Sequence, residues 1–595
     1  MYRNRISFLI ALSVLMTVGL SFRLFSLSVV HHGEYVAKAE QQQNVERDVV
    51  PRRGDLFAQD ASSGSTTLVA ESVERFAVSA TPKNVKKKAA YAAVLASHAG
   101  VDQKTVQDEL ETDALYMAPL KHDLTKHDVE AIAADLNKIE DADSPKRTDV
   151  VVNFDPSQGN VIYFIGGVFF VREYARIYPE GALMGQLLGF VDDKGNGQYG
   201  VEGEYNNNLK GYIGRVLVQQ DSVGTLLNQK DQVRGADGTS YELSIDRNVQ
   251  YEVEKDLAQE LKDSEAEGGS VIVMDPKTGE VIAMAASPSY DPNSYRDLTQ
   301  AQVGLFDNPN ISKEWEPGSI FKPLVMAAAM DQGLVTPDTK NTFGESVTVE
   351  GHVINTALRR AYGEETMTQV LANSDNVAMV WVSDKLGNQK MYDYLKSFGF
   401  GSSTGVDLKN EISGSVLQEK KWRDINRATI SFGQGIAVTP MQIVTAYAAI
   451  ANDGKMVLPR VVKATIDPNG TRHPVATVEG QQVVKPEIAK QLRDMMVATV
   501  VTSHNRAGTE GYKIGGKTGT AQIPDPKNGG YIEDAYNHSF IGIGPSDNPR
   551  YVALVKIDHP NIKKVGTYAE STAVPLFGKI SSFLLNYYQI PPTNR

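Results

Sequence analysis

Residues 6–22 form an unbroken run of seventeen uncharged positions, preceded by Arg3 and Arg5. At about 1.5 Å per helical residue the run is roughly 26 Å long, close to the hydrocarbon thickness of a bilayer. Backbone placed in hydrocarbon must satisfy its own hydrogen bonds, so the run is expected to be a helix. Arg23 can snorkel to the interface, and residues 24–30 continue the apolar trend. The basic flank predicts a short cytoplasmic tail, with everything after the span outside the cytoplasmic membrane. A cleaved signal peptide would carry a shorter apolar stretch. The reading is therefore an uncleaved single-pass anchor over residues 1–30, with the remaining chain folding on the far side.

That remainder is too long for one ordinary core. The chain has 595 residues, so two or three domains are expected. Charged residues at 22% and hydrophobic ones at 41% give a globular balance. A net charge of −12 argues against nucleic acid as a partner. The absence of cysteine removes disulfides, thiol nucleophiles and cysteine-based metal sites. The ten histidines lack paired spacing, and neither a metal nor a nucleotide cofactor is expected.

Residues 31–235 mix short β-rich runs with charged helical stretches and read as one domain. Within them, residues 111–143 are polar and acidic and suggest an exposed helical lobe. Residues 163–171 are apolar and β-prone and suggest one strand. A second domain is expected over residues 240–585. Leu243-Ser-Ile-Asp-Arg-Asn248 leads into a helical stretch over 249–262. Two apolar runs then flank a turn supplied by Pro276 and Gly279. Thr439-Pro440 starts a further helix, with the threonine as cap and the proline at its first position. Strand patterns return at 539–544 and 551–557. Strands flanking a helical middle predict an antiparallel sheet covered by helices, in a multidomain chain of the α/β (α+β) class.

Three motifs in this second domain carry chemistry. Ser319 and Lys322 stand three residues apart in Glu-Pro-Gly-Ser-Ile-Phe-Lys-Pro, ahead of an apolar run that reads as a helix to Gly333. That offset puts a hydroxyl and an amine one turn apart on one face, as a nucleophile and its base require. The serine would also lie at a helix N-terminus, where unpaired N–H groups favour a developing oxyanion. Ser374-Asp375-Asn376 and Lys517-Thr518-Gly519-Thr520 follow in order, the whole set spanning about 200 residues. Each alone is weak, since Ser-x-x-Lys is common on solvated helices, Ser374 could cap a helix, and Lys-Thr-Gly-Thr could be a plain strand.

Jointly, the trio resembles the penicillin-recognising acyl transferases. Pro51-Arg-Arg-Gly-Asp-Leu56, Arg176-Ile-Tyr-Pro-Glu-Gly181, Leu188-Gly-Phe-Val191 and Gly200-Val-Glu-Gly-Glu-Tyr-Asn206 extend the resemblance to the pedestal of class B, monofunctional penicillin-binding proteins. No glycosyltransferase domain is present. The usual continuation of the first segment, Asp-Arg-Asn-Gly, is replaced here by Gln59-Asp60 and a Ser/Gly/Thr-rich stretch. The pedestal wording and Trp422-Arg-Asp-Ile425 look closer to the division-type branch than to the elongation type.

The resemblance implies a D,D-transpeptidase that cross-links peptidoglycan stem peptides ending in D-Ala-D-Ala and is acylated by β-lactams. It implies catalytic roles for Ser319, Lys322, Ser374, Asn376 and Lys517. Thr518 with Lys517 would receive the donor's carboxylate, Gly519 would let the strand approach the substrate, and Thr520 would lend an oxyanion-hole N–H opposite that of Ser319. Lys322 must be neutral to act as base, which burial and a neighbouring Lys517 would favour. Asp375, in the variable middle position, has no assigned role, and neither does Phe432-Gly-Gln-Gly-Ile-Ala-Val-Thr-Pro440. The pedestal is expected to dock a membrane glycan polymerase and division proteins.

Four rivals share parts of this pattern. A class A β-lactamase needs a deacylating glutamate, and Glu411-Ile-Ser-Gly-Ser does not supply its arrangement. A penicilloyl sensor would have little cytoplasmic tail to signal through. A D,D-carboxypeptidase differs only in using water as acceptor. An α/β-hydrolase reading rests on Gly401-Ser-Ser-Thr-Gly405, which needs a strand before it and a helix after it.

Overall fold

The computed structural model describes residues 2–112, 114, 117–141, 163–220, 226–233 and 235–592. They fall into two compact units. The smaller comprises Met1–Arg53, Ser72–Ala175 and Gly211–Gly238, and the larger comprises Gly54–Glu71, Arg176–Lys210 and Thr239–Arg595.

The smaller unit begins with the helix Tyr2–Phe25, continued by a π-helical turn Ser26–Val30. It is long and apolar enough to cross a membrane, and its apolar side chains are unburied by protein. Strand Asn44–Val49 pairs antiparallel with Gly214–Gln220, which pairs in turn with Leu226–Val233. The unit's core gathers Phe76 and Val78 of strand Ser65–Ala80, Tyr91 and Leu95 of helix Lys88–Ala99, and Ile132 and Leu136 of helix Lys126–Asp141. This corrects the expectation of an exposed lobe over 111–143. Val129, Ile132, Ala133 and Leu136 repeat at three- and four-residue intervals and bury one stripe of an otherwise charged helix. The run at 163–171 is likewise two strands rather than one. Tyr163–Ile165 and Val168–Ile177 pair as a hairpin around Gly166-Gly167, both at positive φ, as a two-residue turn requires.

The larger unit is built on an antiparallel sheet. Helix α1 (Arg247–Ser264) leads into β1 (Gly268–Met274) and β2 (Val281–Ser287). Asp246 caps α1 by accepting from the N–H groups of Asn248 and Val249. Between β1 and β2, Gly279 N–H donates to the Asp275 carbonyl at 3.0 Å, closing the expected turn. The helical middle follows: α2 (Lys322–Asp331), α3 (Met367–Asn373), α4 (Asn376–Leu386), α5 (Pro440–Ala451) and α6 (Pro486–Ser503). Strands β3 (Gly515–Pro524), β4 (Tyr531–Gly544) and β5 (Tyr551–Asp558) complete the sheet in the order β2-β1-β5-β4-β3, and α7 (Ala573–Tyr587) closes the fold.

Strand alternation gives the sheet two apolar faces. Ile272, Met274, Ile541, Ile543, Val552 and Leu554 pack with α2 and α5. Val271, Val273, Phe540, Ala553, Val555 and Ile557 pack with α1 and α7. Buried on both sides, residues 271–274 of β1 and 551–555 of β5 read as continuous apolar runs. Every residue of α5 is buried, and Thr439 caps it by accepting from Gln442 N–H.

The pedestal motifs within this unit converge on one ion pair. Arg176 Nε donates to Glu202 Oε1 at 2.7 Å, and its Nη1 donates to the Gly54 carbonyl at 2.8 Å. The two side chains are 5% and 0% exposed. One guanidinium thus joins Gly54 to residues 176 and 202, both more than a hundred residues further along the chain.

Candidate active site

Ser319 sits in a 3-10 turn, Gly318–Phe321, that runs directly into α2. Lys322 N–H donates to the Ser319 carbonyl, and in a 3-10 turn positions three apart eclipse. The turn is held from two sides. Tyr447 of α5 donates its hydroxyl to the Ile320 carbonyl. Gly433 accepts the Gly318 N–H at 3.0 Å. Gly433 has φ of +80°, and a Cβ there would lie 2.1 Å from the Gly318 carbonyl oxygen. The segment that sequence reasoning left without a role therefore braces the serine. Gly433→Ala is expected to displace the Ser319 turn and slow its acylation at least tenfold, read as the second-order rate with a fluorescent penicillin on protein of unchanged far-UV dichroism. A rate within twofold of the parent would show that the brace is dispensable.

Ser374, Asp375 and Asn376 form the joint between α3 and α4. Ser374 closes α3 in the left-handed conformation, at φ 55° and ψ 41°, a strained state for a non-glycine residue. Asp375 caps α4 by accepting from the N–H groups of Val377 and Ala378 at 2.7 and 3.1 Å. This residue was given no part by the sequence, yet it is fully buried and fixes the turn that aims its two neighbours. Buried Glu365 faces it: burial, and then the Asp375 carboxyl, push Glu365 up to about 7.

The joint delivers Ser374 and Asn376 to Lys322. Lys322 Nζ lies 2.6 Å from the Ser374 carbonyl, 3.0 Å from Ser374 Oγ and 2.7 Å from Asn376 Oδ1. Asn376 Nδ2 donates to the Asn355 carbonyl at 3.0 Å, which fixes the amide so that its oxygen faces the lysine. Lys322 is fully buried. Burial first, then the charge of Lys517, hold it well below the ordinary lysine range, with Asp375 opposing. A neutral amine has two N–H groups and one lone pair. The Ser374 carbonyl and Asn376 Oδ1 can only accept, so they take both N–H groups, and the lone pair is left to accept from a hydroxyl.

Lys517, Thr518, Gly519 and Thr520 lie on β3, the outermost strand of the sheet. Lys517 is fully buried, with Nζ 3.3 Å from Thr518 Oγ1. Burial brings it down to about 8, against the opposing charge of Glu570. A Cβ on Gly519 would stand 2.4 Å from Ser539 Oγ, 2.9 Å from the Pro317 carbonyl and 3.1 Å from Ile320. The close approach that demands glycine is thus between β3 and the Ser319 turn. Ser319, Ser374, Asn376, Thr518 and Thr520 all line one cleft of about 1200 Å³, with the two buried lysines beside them.

The cleft also holds residues absent from every motif. His504, at the end of α6, places Nε2 3.3 Å from Thr518 Oγ1 and Nδ1 3.4 Å from Glu570 Oε1. No periodicity or spacing could have joined positions 504, 518 and 570. Two rival motifs fall elsewhere. Residues 401–405 follow a helix, Asn388–Ser397, and form turns rather than a strand-to-helix elbow. Glu411 spends its carboxylate on the N–H groups of Thr404 and Gly405 and on the Thr404 hydroxyl.

A transpeptidase-type serine site beside a five-stranded antiparallel sheet defines the class of protein. Comparison with known proteins agrees: the penicillin binding protein transpeptidase domain matches residues 269–582, and the penicillin-binding protein dimerisation domain matches residues 48–243. The chain belongs to the class B penicillin-binding proteins and is a peptidoglycan D,D-transpeptidase. It is 31% identical to penicillin-binding protein PbpB of Mycolicibacterium smegmatis over 610 residues, 99% of this chain and 91% of that one. It is 33% identical to peptidoglycan D,D-transpeptidase FtsI of Escherichia coli K12 over 72% of this chain and 69% of that one. Against stage V sporulation protein D of Bacillus subtilis the identity is 33%, over 70% of this chain and 64% of the relative. Among solved structures, a peptidoglycan synthetase from Bifidobacterium adolescentis superposes with a TM-score of 0.73 at 27% identity, covering 93% of this chain and 98% of that one. Penicillin-binding protein 3 of Mycobacterium tuberculosis complexed with aztreonam gives 0.64 at 32% identity, covering 71% and 92%.

Proposed function

We propose that Ser319 is the nucleophile and Lys322 its base, in an anchored transpeptidase that joins stem peptides during septal wall synthesis. One observation carries the catalytic assignment: a fully buried Lys322 amine, hydrogen-bonded to Ser374 and Asn376, one turn from a serine that lines the cleft.

The chemistry follows in two halves. Lys322, neutral, takes the Ser319 proton as Oγ attacks the penultimate D-Ala carbonyl of the donor. The N–H groups of Ser319 and Thr520 receive the oxyanion, since an edge strand turns every second N–H outward. Ser374 Oγ, 3.0 Å from Lys322 Nζ, relays the proton to the departing D-Ala amine. In the second half an amine from a neighbouring stem peptide attacks the acyl-enzyme, and the same relay runs in reverse. Lys517 and Thr518 hold the donor's terminal carboxylate. β-Lactams stop the cycle at the acyl-enzyme, a reading supported by the relative solved with aztreonam.

The domains we assign are the anchor at residues 1–30, the pedestal at 31–235 and the transpeptidase at 240–585. The N-terminus lies in the cytoplasm, and the pedestal docks a membrane glycan polymerase and division proteins. Assignment to the division branch is supported by the pedestal wording and by residues 422–425 and predicts concentration at mid-cell; a side-wall distribution would overturn it. For the nucleophile, fluorescent penicillin is expected to label the parent protein on a peptide containing Ser319 and to leave Ser319→Ala unlabelled. Labelling of that variant at the parent rate would end the proposal.

A further inference from the structure

The His504 imidazole is nearly buried and stands between two groups with different needs. Its Nδ1 stands 3.4 Å from Glu570 Oε1 with no hydrogen bond formed, and its Nε2 lies 3.3 Å from the Thr518 hydroxyl. Lys517 Nζ of β3 lies 3.3 Å from that hydroxyl, and Phe540 of β4 meets the imidazole edge-on at a ring separation of 6.1 Å. Arg506, in the turn after α6, donates to the Glu570 carbonyl and lines the same cleft. Burial first, then Lys517, push His504 down to about 3, so the ring is neutral in the empty site.

A neutral ring carries one proton. The nearby Glu570 charge favours that proton on Nδ1, which leaves Nε2 to accept from the Thr518 hydroxyl. Thr518 has only one proton to give. A carboxylate docking on Thr518 needs that same proton, and once it turns away two lone pairs face each other across 3.3 Å. Such a buried mismatch disfavours the docked state.

We infer that His504 takes up a proton from solvent when an anionic carboxylate docks on Thr518, so that Glu570, His504 and Thr518 form a proton-linked carboxylate site. The imidazolium then donates through Nδ1 to Glu570 and through Nε2 to Thr518 Oγ1, leaving the hydroxyl proton for the ligand. The incoming negative charge stabilises the cation it calls for. His504 acts on the ligand through Thr518 and is a positioning residue. The inference rests on the proposed seat of the donor carboxylate at Thr518.

The test measures the dissociation constant of benzylpenicillin ahead of acylation, by stopped flow on the full chain, between pH 5 and 9. The parent is expected to bind up to about tenfold more tightly for each unit of falling pH below the Lys517 limb near 8. His504→Gln, whose amide donates at every pH, should lose that slope while keeping the Lys517 limb. An unchanged slope in His504→Gln overturns the inference. Thr518→Val separates the two readings. Unchanged binding in Thr518→Val defeats the seat at Thr518, whereas binding weakened tenfold together with an intact slope in His504→Gln defeats the histidine alone.

Discussion

Lys322→Met is expected to slow acylation of Ser319 by about 10²–10⁴-fold, the range of a positioned general base. Methionine has similar length and tolerates burial, so the change removes the lone pair with little loss of packing. It also strips the donor from the Ser374 carbonyl and Asn376 Oδ1, which the lysine meets at 2.6 and 2.7 Å. Lys322→Arg should not rescue, because a guanidinium has no lone pair at working pH. In the parent, the acylation rate should rise with pH along a limb lying well below the ordinary lysine value, since burial and Lys517 both favour the neutral amine. Stopped-flow labelling with fluorescent penicillin would read both effects. Retention of a tenth of the parent rate by Lys322→Met would require a different base.

The second large effect is on stability. Glu202→Ala leaves the Arg176 guanidinium buried without its carboxylate, and breaking such a pair costs about 3–5 kcal/mol. Replacing both partners, Arg176→Met with Glu202→Leu, should recover part of that loss, because neither member of the pair is then left without the other. The larger unit's denaturation midpoint, followed by resistance to proteolysis, would report the difference. Penicillin labelling of the surviving folded fraction should stay near the parent rate, since neither residue lines the cleft. A loss below about 1 kcal/mol for Glu202→Ala would mean that the pair carries little of the fold.

Local sequence signals worked where the cause was local. Thr439-Pro440 gave the start of α5 because a capping side chain and a fixed φ act within one turn. The turn between β1 and β2 followed from Pro276 and Gly279 for the same reason. The helix over 126–141 was misread because its charges dominate composition, whereas its buried stripe is set by what packs against it. The hairpin at 163–177 was misread as one strand because two glycines inside an apolar run look like a weak point until pairing is known. At the site, the three motifs named side chains that the fold brings together, since Ser-x-x-Lys is one turn of chain. Asp375 was passed over because its work is a cap on backbone N–H groups, which any short acceptor can do.

The sequence by itself determined the apolar N-terminal helix, the chemical types at the site and the family, because each is carried by contiguous residues. Only the tertiary structure decided that Gly433 braces the serine, that Arg176 joins Gly54 to Glu202, and that His504 and Glu570 stand beside Thr518. Those relations join residues far apart in the chain, and the free energy that selects them comes from burying apolar faces and satisfying buried polar groups, which no short window of sequence records.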